Sequence, residues 1–134
     1  MTHLLDTSAL FAFCFDEPGR ERIEELFSDP AVTVGLSALT AVEWWARLKA
    51  EGCEDAFDGE WQAHLPLFEG IVGCDAPTCR KAVELRAAAC SRVPTIDSVI
   101  AATAAMKEAI LVHRDPHFTA IPETHLQQEV LPSE

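Results

Sequence analysis

Four carboxylates keep apolar company in this chain: Asp6 after Leu4-Leu5, Glu43 in Leu39-Thr40-Ala41-Val42-Glu43, Asp97 before Ser98-Val99-Ile100, and Asp115 just beyond Ile110-Leu111-Val112-His113. On a helical wheel Glu43 neighbours Leu39, Val42 and Ala46, the edge of an apolar face. A carboxylate there is costly unless it is paired or bound to a metal. Several carboxylates that converge repel one another unless a cation joins them. Oxygen ligands suit Mg²⁺ or Mn²⁺, which keep several waters and bind substrate phosphate directly. Such a centre can activate water, polarise a phosphodiester and stabilise the leaving oxygen. No serine-histidine-acid order and no glycine-rich phosphate loop competes with it. Of five dispersed histidines, only His113 and His117 fall near this set.

Each acid also has an ordinary explanation. Asp6 can cap the helix that follows it. Asp97 can complement a helix dipole from the first turn. Asp115 before Pro116 reads as a turn, or as an N-cap with proline at N1. Glu43 and Arg47 have the i,i+4 spacing of a surface ion pair.

The elements that must position these acids follow from the apolar patterning. Strands are expected at His3–Leu5, Val32–Gly35, Ile71–Cys74, Ile110–His113 and Gln128–Leu131. Helices are expected over Thr7–Phe15, Arg20–Phe27, Ser37 (as N-cap) to about Ala50, Gly52–Phe68, Pro77–Ser91 and Thr95–Glu108. The last reads as nearly apolar all round, through Ile96, Val99, Ile100, Ala101, Ala104 and Ala105, as a buried helix would. Strands alternating with helices imply a three-layer α/β/α sandwich with a mostly parallel central sheet. Ligands in such folds bind at the carboxyl ends of the strands, where Asp6 and Asp115 fall.

With 134 residues, 49% of them hydrophobic, residues 1–134 are read as one domain with one core. No apolar run approaches the ~18 residues that cross a bilayer, and no signal peptide is read, so a cytoplasmic protein is expected. The five cysteines are odd in number and form no C-x-x-C pair; they read as buried, reduced, inert thiols. The net charge of −12 is unlike that of most phosphate-gripping proteins. Arg80, Lys81, Arg86 and Arg92 nevertheless gather in one segment and allow a local basic face.

The residues around the four acids resemble the PIN-domain family, and within it the VapC-type toxins of bacterial toxin–antitoxin pairs. The resemblance rests on Leu4-Leu5-Asp6-Thr7-Ser8-Ala9-Leu10, on Ser37 to Glu43, on Pro94-Thr95-Ile96-Asp97-Ser98 through Ala104, and on Leu111-Val112-His113-Arg114-Asp115-Pro116-His117-Phe118. These stand in family order and spacing and cover nearly the whole chain. The resemblance implies a metal-dependent endoribonuclease with Mg²⁺, or Mn²⁺, on Asp6, Glu43, Asp97 and Asp115. Thr7 and Ser8 match hydroxyl residues that orient the acids or contact phosphate. It also implies RNA as substrate, a homodimer, and a small antitoxin as partner. One departure stands out: many members carry a further acid where this chain has His117, which removes a carboxylate ligand and bears on whether a second metal binds.

Three other readings compete. A receiver-type signalling domain would want paired acids after the first strand and a lysine after the last strands. A haloacid-dehalogenase-like phosphatase would want D-x-D, which Asp6-Thr7-Ser8 does not supply. A PIN-like domain acting on DNA, or an inactive one that only binds a partner, stays open. The aromatic and aliphatic groups Phe11, Phe13, Phe15, Leu26, Phe27, Trp44 and Trp45 exceed what one small core is expected to bury. Some should form an exposed interface patch beside Asp16, Glu17, Glu21, Glu24 and Glu25. A partner segment with apolar anchors and an arginine or lysine would suit it. If that cation reached Asp6 or Asp97, it would displace the metal.

Overall fold

A computed structural model of the chain describes residues 1–133. Five strands form one sheet: β1 (His3–Leu5), β2 (Val34–Ser37), β3 (Gly70–Val72), β4 (Ile110–His113) and β5 (Gln128–Val130). Their order is β3-β2-β1-β4-β5, and every pairing is parallel. Six α-helices cover the two faces: α1 (Thr7–Cys14), α2 (Arg20–Ser28), α3 (Leu39–Ala50), α4 (Phe57–His64), α5 (Ala76–Ala88) and α6 (Thr95–Met106).

Alternation along the central strands produces the layers. Leu4 and Leu111 point to one side, into a core shared with Ala82 and Leu85 of α5 and Ile100 and Ala101 of α6. Leu5 and Val112 point to the other, among Leu10, Ile23, Leu26, Trp44 and Leu48 from the first three helices. The chain builds β1, β2 and β3 outward on one side and then returns to place β4 on the other side of β1. The crevice at the carboxyl ends of β1 and β4 is therefore a topological switch point, where such sheets bind ligands.

Several expected boundaries move for identifiable reasons. The second strand runs over Val34–Ser37, not Val32–Gly35, because its register is set by β1, with His3 opposite Val34 and Leu5 opposite Leu36. Ser37 is thus the last strand residue, although its Oγ still accepts the Leu39 N–H at 3.2 Å where α3 begins. The continuous helix expected over Gly52–Phe68 is broken. Gly52 takes a positive φ of 74° and ends α3. Short 3₁₀ turns at Glu54–Ala56 and Leu65–Leu67 flank α4, the second containing Pro66. The third strand stops at Val72, and Asp75 caps α5.

The aromatic surplus is mostly absorbed. Trp44 and Leu26 are core residues at 1% exposure. Phe13 packs edge-on to Phe27 and under Arg20, and Arg47 lies over Phe11 and Phe15. Of these groups Trp45 stays exposed; with the exposed Val42, and with Ala41 and Phe57, it lines a shallow apolar hollow of about 300 Å³. The Glu43–Arg47 pair, the ordinary alternative for Glu43, is not made; Arg47 pairs with Glu17 and Glu51 instead. Ile96, expected on a buried helix, is 44% exposed, whereas Ile100 through Ala104 are buried. The cysteines also depart from expectation: Cys14 is half-buried, and Cys53, Cys74, Cys79 and Cys90 are exposed. No helix among the described residues is long and apolar enough to cross a membrane.

Candidate metal centre

Asp6 stands where β1 ends. Its N–H donates to the Val112 carbonyl, extending the β1–β4 ladder by one bond, and its side chain turns into the crevice as the N-cap of α1. One carboxylate oxygen accepts the Ala9 N–H at 2.9 Å, and the Ser8 hydroxyl lies 2.7 and 2.9 Å from the two oxygens. The Ser8 oxygen in turn accepts the Arg114 N–H at 2.9 Å. Ser8 thereby ties the start of α1 to the loop that follows β4. Asp6 is almost fully buried. Burial pushes its carboxyl up to about 7; the bonds from Ser8 and Ala9 oppose this, and nearby Asp115 adds to it.

Glu43 comes from the middle of α3 and is half-buried. The Thr7 hydroxyl donates to its Oε1, with Thr40 Oγ1 3.3 Å from the same hydroxyl. The hydroxyls of both Thr7 and Ser8 are thus occupied by carboxylates. That arrangement orients the acids.

Asp97 is the third residue of α6, where the helix dipole favours an anion. Burial, then the charges of Asp115 and Glu43, raise its carboxyl to about 6. Asp115 is one residue past β4 and caps the 3₁₀ turn Pro116–Ala120, accepting the His117 N–H at 2.9 Å. The ordinary capping explanations for Asp6 and Asp115 are therefore both correct. They do not compete with a site, because a cap bond uses one lone pair of a carboxylate and leaves others that can serve a cation.

Of the two histidines expected near the acids, His117 joins them. His117 places Nδ1 3.0 Å from Asp115 Oδ1 and 3.7 Å from Asp97 Oδ2. One ligand atom from each of Asp97, Asp115 and His117 lies within 4.8 Å of the others. The turn geometry after Asp115-Pro116 aims the imidazole back at the acids. His113, the other histidine expected near the site, is buried and faces away. Its Nδ1 accepts the Asp115 N–H at 3.2 Å and its Nε2 donates to Gln128 at 2.8 Å, a neutral tautomer that burial favours. It braces the Asp115 loop from behind.

The charge of Asp115 acts on Asp6, and those of Asp115 and Glu43 act on Asp97. Arg114 and Arg47, the nearest arginines in sequence, both bond Glu17. The donor set, carboxylate oxygens with one imidazole, fits a divalent ion of the Mg²⁺ or Mn²⁺ kind and offers no thiolate.

This arrangement has a measurable cost in EDTA. The Asp6 pKa rises from about 3.8 unfolded to about 7 folded. Its contribution to stability is therefore complete below pH 4 and is lost as pH rises through 7. Between those limits wild type should lose on the order of 4 kcal/mol relative to Asp6→Asn, which keeps the cap oxygen and cannot ionise. His3 and His113, whose pKa values burial lowers, act in the opposite direction, but equally on both proteins. Urea midpoints at pH 5 and pH 8 in EDTA check this. Parallel profiles for the two proteins would refute the burial of a charged Asp6.

The comparisons with known proteins agree with this fold. The family model for the PIN domain matches residues 3–123. No curated protein matches the chain significantly in sequence. Among solved structures, VapBC2 from Rickettsia felis, bound to a DNA fragment from its promoter, is similar at 20% identity and a TM-score of 0.77, covering 98% of this chain and 100% of that one. FitAcB from Neisseria gonorrhoeae is similar at 24% identity and a TM-score of 0.76, covering 95% of this chain and 96% of that one. VapC20 from Mycobacterium tuberculosis, described as a Sarcin-Ricin loop cleaving toxin, is similar at 18% identity and a TM-score of 0.68, covering 89% of this chain and 94% of that one. These likenesses show a common fold. With the family match over most of its length, the acids at the switch point and the all-parallel sheet, the chain belongs to the PIN-domain family.

Proposed function

We propose that this chain is a divalent-metal-dependent endoribonuclease, the toxin of a toxin–antitoxin pair, working as one domain over residues 1–134. Asp6, Glu43, Asp97 and Asp115 would hold Mg²⁺ or Mn²⁺, with His117 at the rim. The observation that carries this reading is the gathering of Asp97, Asp115 and His117 beside the buried Asp6 at the β1/β4 switch point. The bound ion would supply Lewis acidity and a lowered water pKa. Thr7 and Ser8 fix Glu43 and Asp6 in rotamer. His113 and the Ser8–Arg114 bond hold the Asp115 loop against the sheet.

Substrate and partner follow from the relatives. The cleaving activity named for VapC20 supports RNA as the substrate class, and the toxin–antitoxin complexes among the similar structures support a small antitoxin. Against the −12 background, Arg80, Arg86 and Arg92 are exposed and make no ion pair among the described residues. Arg86 lies 3.5 Å from Thr95 at the start of the helix that carries Asp97, so cations are available next to the acids for RNA phosphates. The exposed Val42 and Trp45 offer apolar anchorage for a basic partner segment, a role the buried Trp44 does not have. A cytoplasmic location and a homodimer belong to the same reading.

The test is direct. Purified protein should cleave RNA internally in Mg²⁺ or Mn²⁺, stop in EDTA, and leave DNA intact. The same ions should raise the melting temperature, since they bind only the folded site. Absence of both cleavage and metal-induced stabilisation at millimolar ion would defeat the proposal. Cleavage of DNA alone would move it to the DNA-acting alternative.

A further inference from the structure

The start of α5 holds a pair of thiols, remote in sequence from the acids. Asp75 is the N-cap of α5, its Oδ1 accepting the Thr78 N–H at 3.0 Å. Counting from that cap, Cys74 is the residue before it and Cys79 is the fourth helical residue. These are the two positions whose side chains meet across a helix start and usually carry an apolar pair. Here both are thiols. Their Sγ atoms lie 3.3 Å apart and share a hydrogen bond, and both residues are exposed. The cap thus makes neighbours of two cysteines five residues apart, with solvent access from outside. An apolar staple would be served better by leucine or isoleucine. Two exposed thiols in contact instead have the proximity that disulfide exchange needs.

We propose that Cys74 and Cys79 form a reversible dithiol–disulfide site, oxidised by small disulfides of the glutathione class. One protein thiolate attacks a sulfur of oxidised glutathione, forming a mixed disulfide and releasing one glutathione thiolate. The second protein thiolate then attacks the protein sulfur of that mixed disulfide and displaces the other glutathione. The protein loses two protons and two electrons, and one oxidised glutathione becomes two reduced ones. The sulfurs close to the usual bond length of ~2.05 Å by side-chain rotation, while the Asp75 cap stays in place. Neither cysteine belongs to the elements that carry the acids, so the site stands independently of the nuclease reading.

The experiment uses the full reduced chain, treated with oxidised glutathione at pH 8, quenched with iodoacetamide in denaturant and digested with an endoproteinase that cuts before aspartate. Trypsin, added to cut after Arg80, separates Cys90 from Cys79, and cleavage before Asp75 puts Cys74 and Cys79 on different peptides. In the oxidised protein these should remain joined, about 2 Da lighter than the sum of their reduced masses, and separate on reduction. Cys74→Ser should stop at a glutathione adduct on Cys79, about 305 Da heavier, and Cys79→Ser should do the same on Cys74. Peptides that come apart in oxidised wild type would overturn the proposal. So would persistent glutathione on both cysteines, or either one joined to Cys53, Cys90 or a second chain.

Discussion

Asp97→Asn should cleave RNA at least ~10²-fold more slowly than wild type in saturating Mg²⁺ or Mn²⁺, and Asp6→Asn should do likewise. The amide preserves shape and removes a charged oxygen from the group that would hold the ion, and even residues that merely orient such ligands are worth about 10–100-fold. Thr7→Val and Ser8→Ala probe that weaker effect, because each removes the hydroxyl that fixes one acid. The decisive feature is a split in sign. Asp6→Asn should abolish cleavage while making the metal-free protein more stable at pH 8, since the buried charge is gone. Function and stability pull in opposite directions at a site that concentrates like charge. A residue serving only as the cap of α1 would show the gain in stability without the loss of cleavage. Single-turnover cleavage rates, with urea melts in EDTA on the same preparations, measure both. Undiminished cleavage by Asp97→Asn would mean that the acids are structural.

Trp44→Ala should cost about 3–5 kcal/mol, the range for deleting a buried large aromatic side chain. Trp44 is 1% exposed and sits at the centre of an aromatic group, its ring centroid 6.1 Å from Phe57, 6.1 Å from Trp61 and 5.3 Å from the His64 ring. Domains of this size are stable by only about 5–15 kcal/mol, so the variant should be close to unfolding at 37 °C. Trp45→Ala, one residue along the helix and 41% exposed, should stay within about 0.5 kcal/mol of wild type. Urea denaturation followed by far-ultraviolet circular dichroism separates them. Equal losses for the two tryptophans would contradict the packing of α3.

That pair shows where local pattern stops informing. Adjacent tryptophans have the same composition, propensity and apolar character. They differ by about 100° around the helix axis, and only the position of α3 against the sheet decides which one enters the core. The alternative of a Glu43–Arg47 pair was open for the same reason: its spacing is right, but Glu17 on the α1–α2 connection and Glu51 take Arg47 instead. The break between the helices at Gly52 was legible, but the 3₁₀ turns on either side of α4 were not, because their residues keep helical composition.

The sequence by itself determined the alternation of strands and helices, and hence a parallel sheet with its ligand edge at the strands' carboxyl ends. Buried strands read as apolar runs, and each acid follows such a run or opens an apolar helix. It thereby determined the neighbourhood of Asp6, Glu43, Asp97 and Asp115. Tertiary structure alone decided the switch point between β1 and β4, which follows from strand order and has no local signature. It decided that His117 turns toward the acids while His113 turns away, since a 3₁₀ turn and a bond to Gln128 set those directions. It also decided the fate of the thiols: composition made them core residues, and the cap at Asp75 put two of them side by side on the surface. Contacts between residues distant in the chain, and side-chain directions at turns, are properties of the packed molecule, which one-dimensional periodicity does not encode.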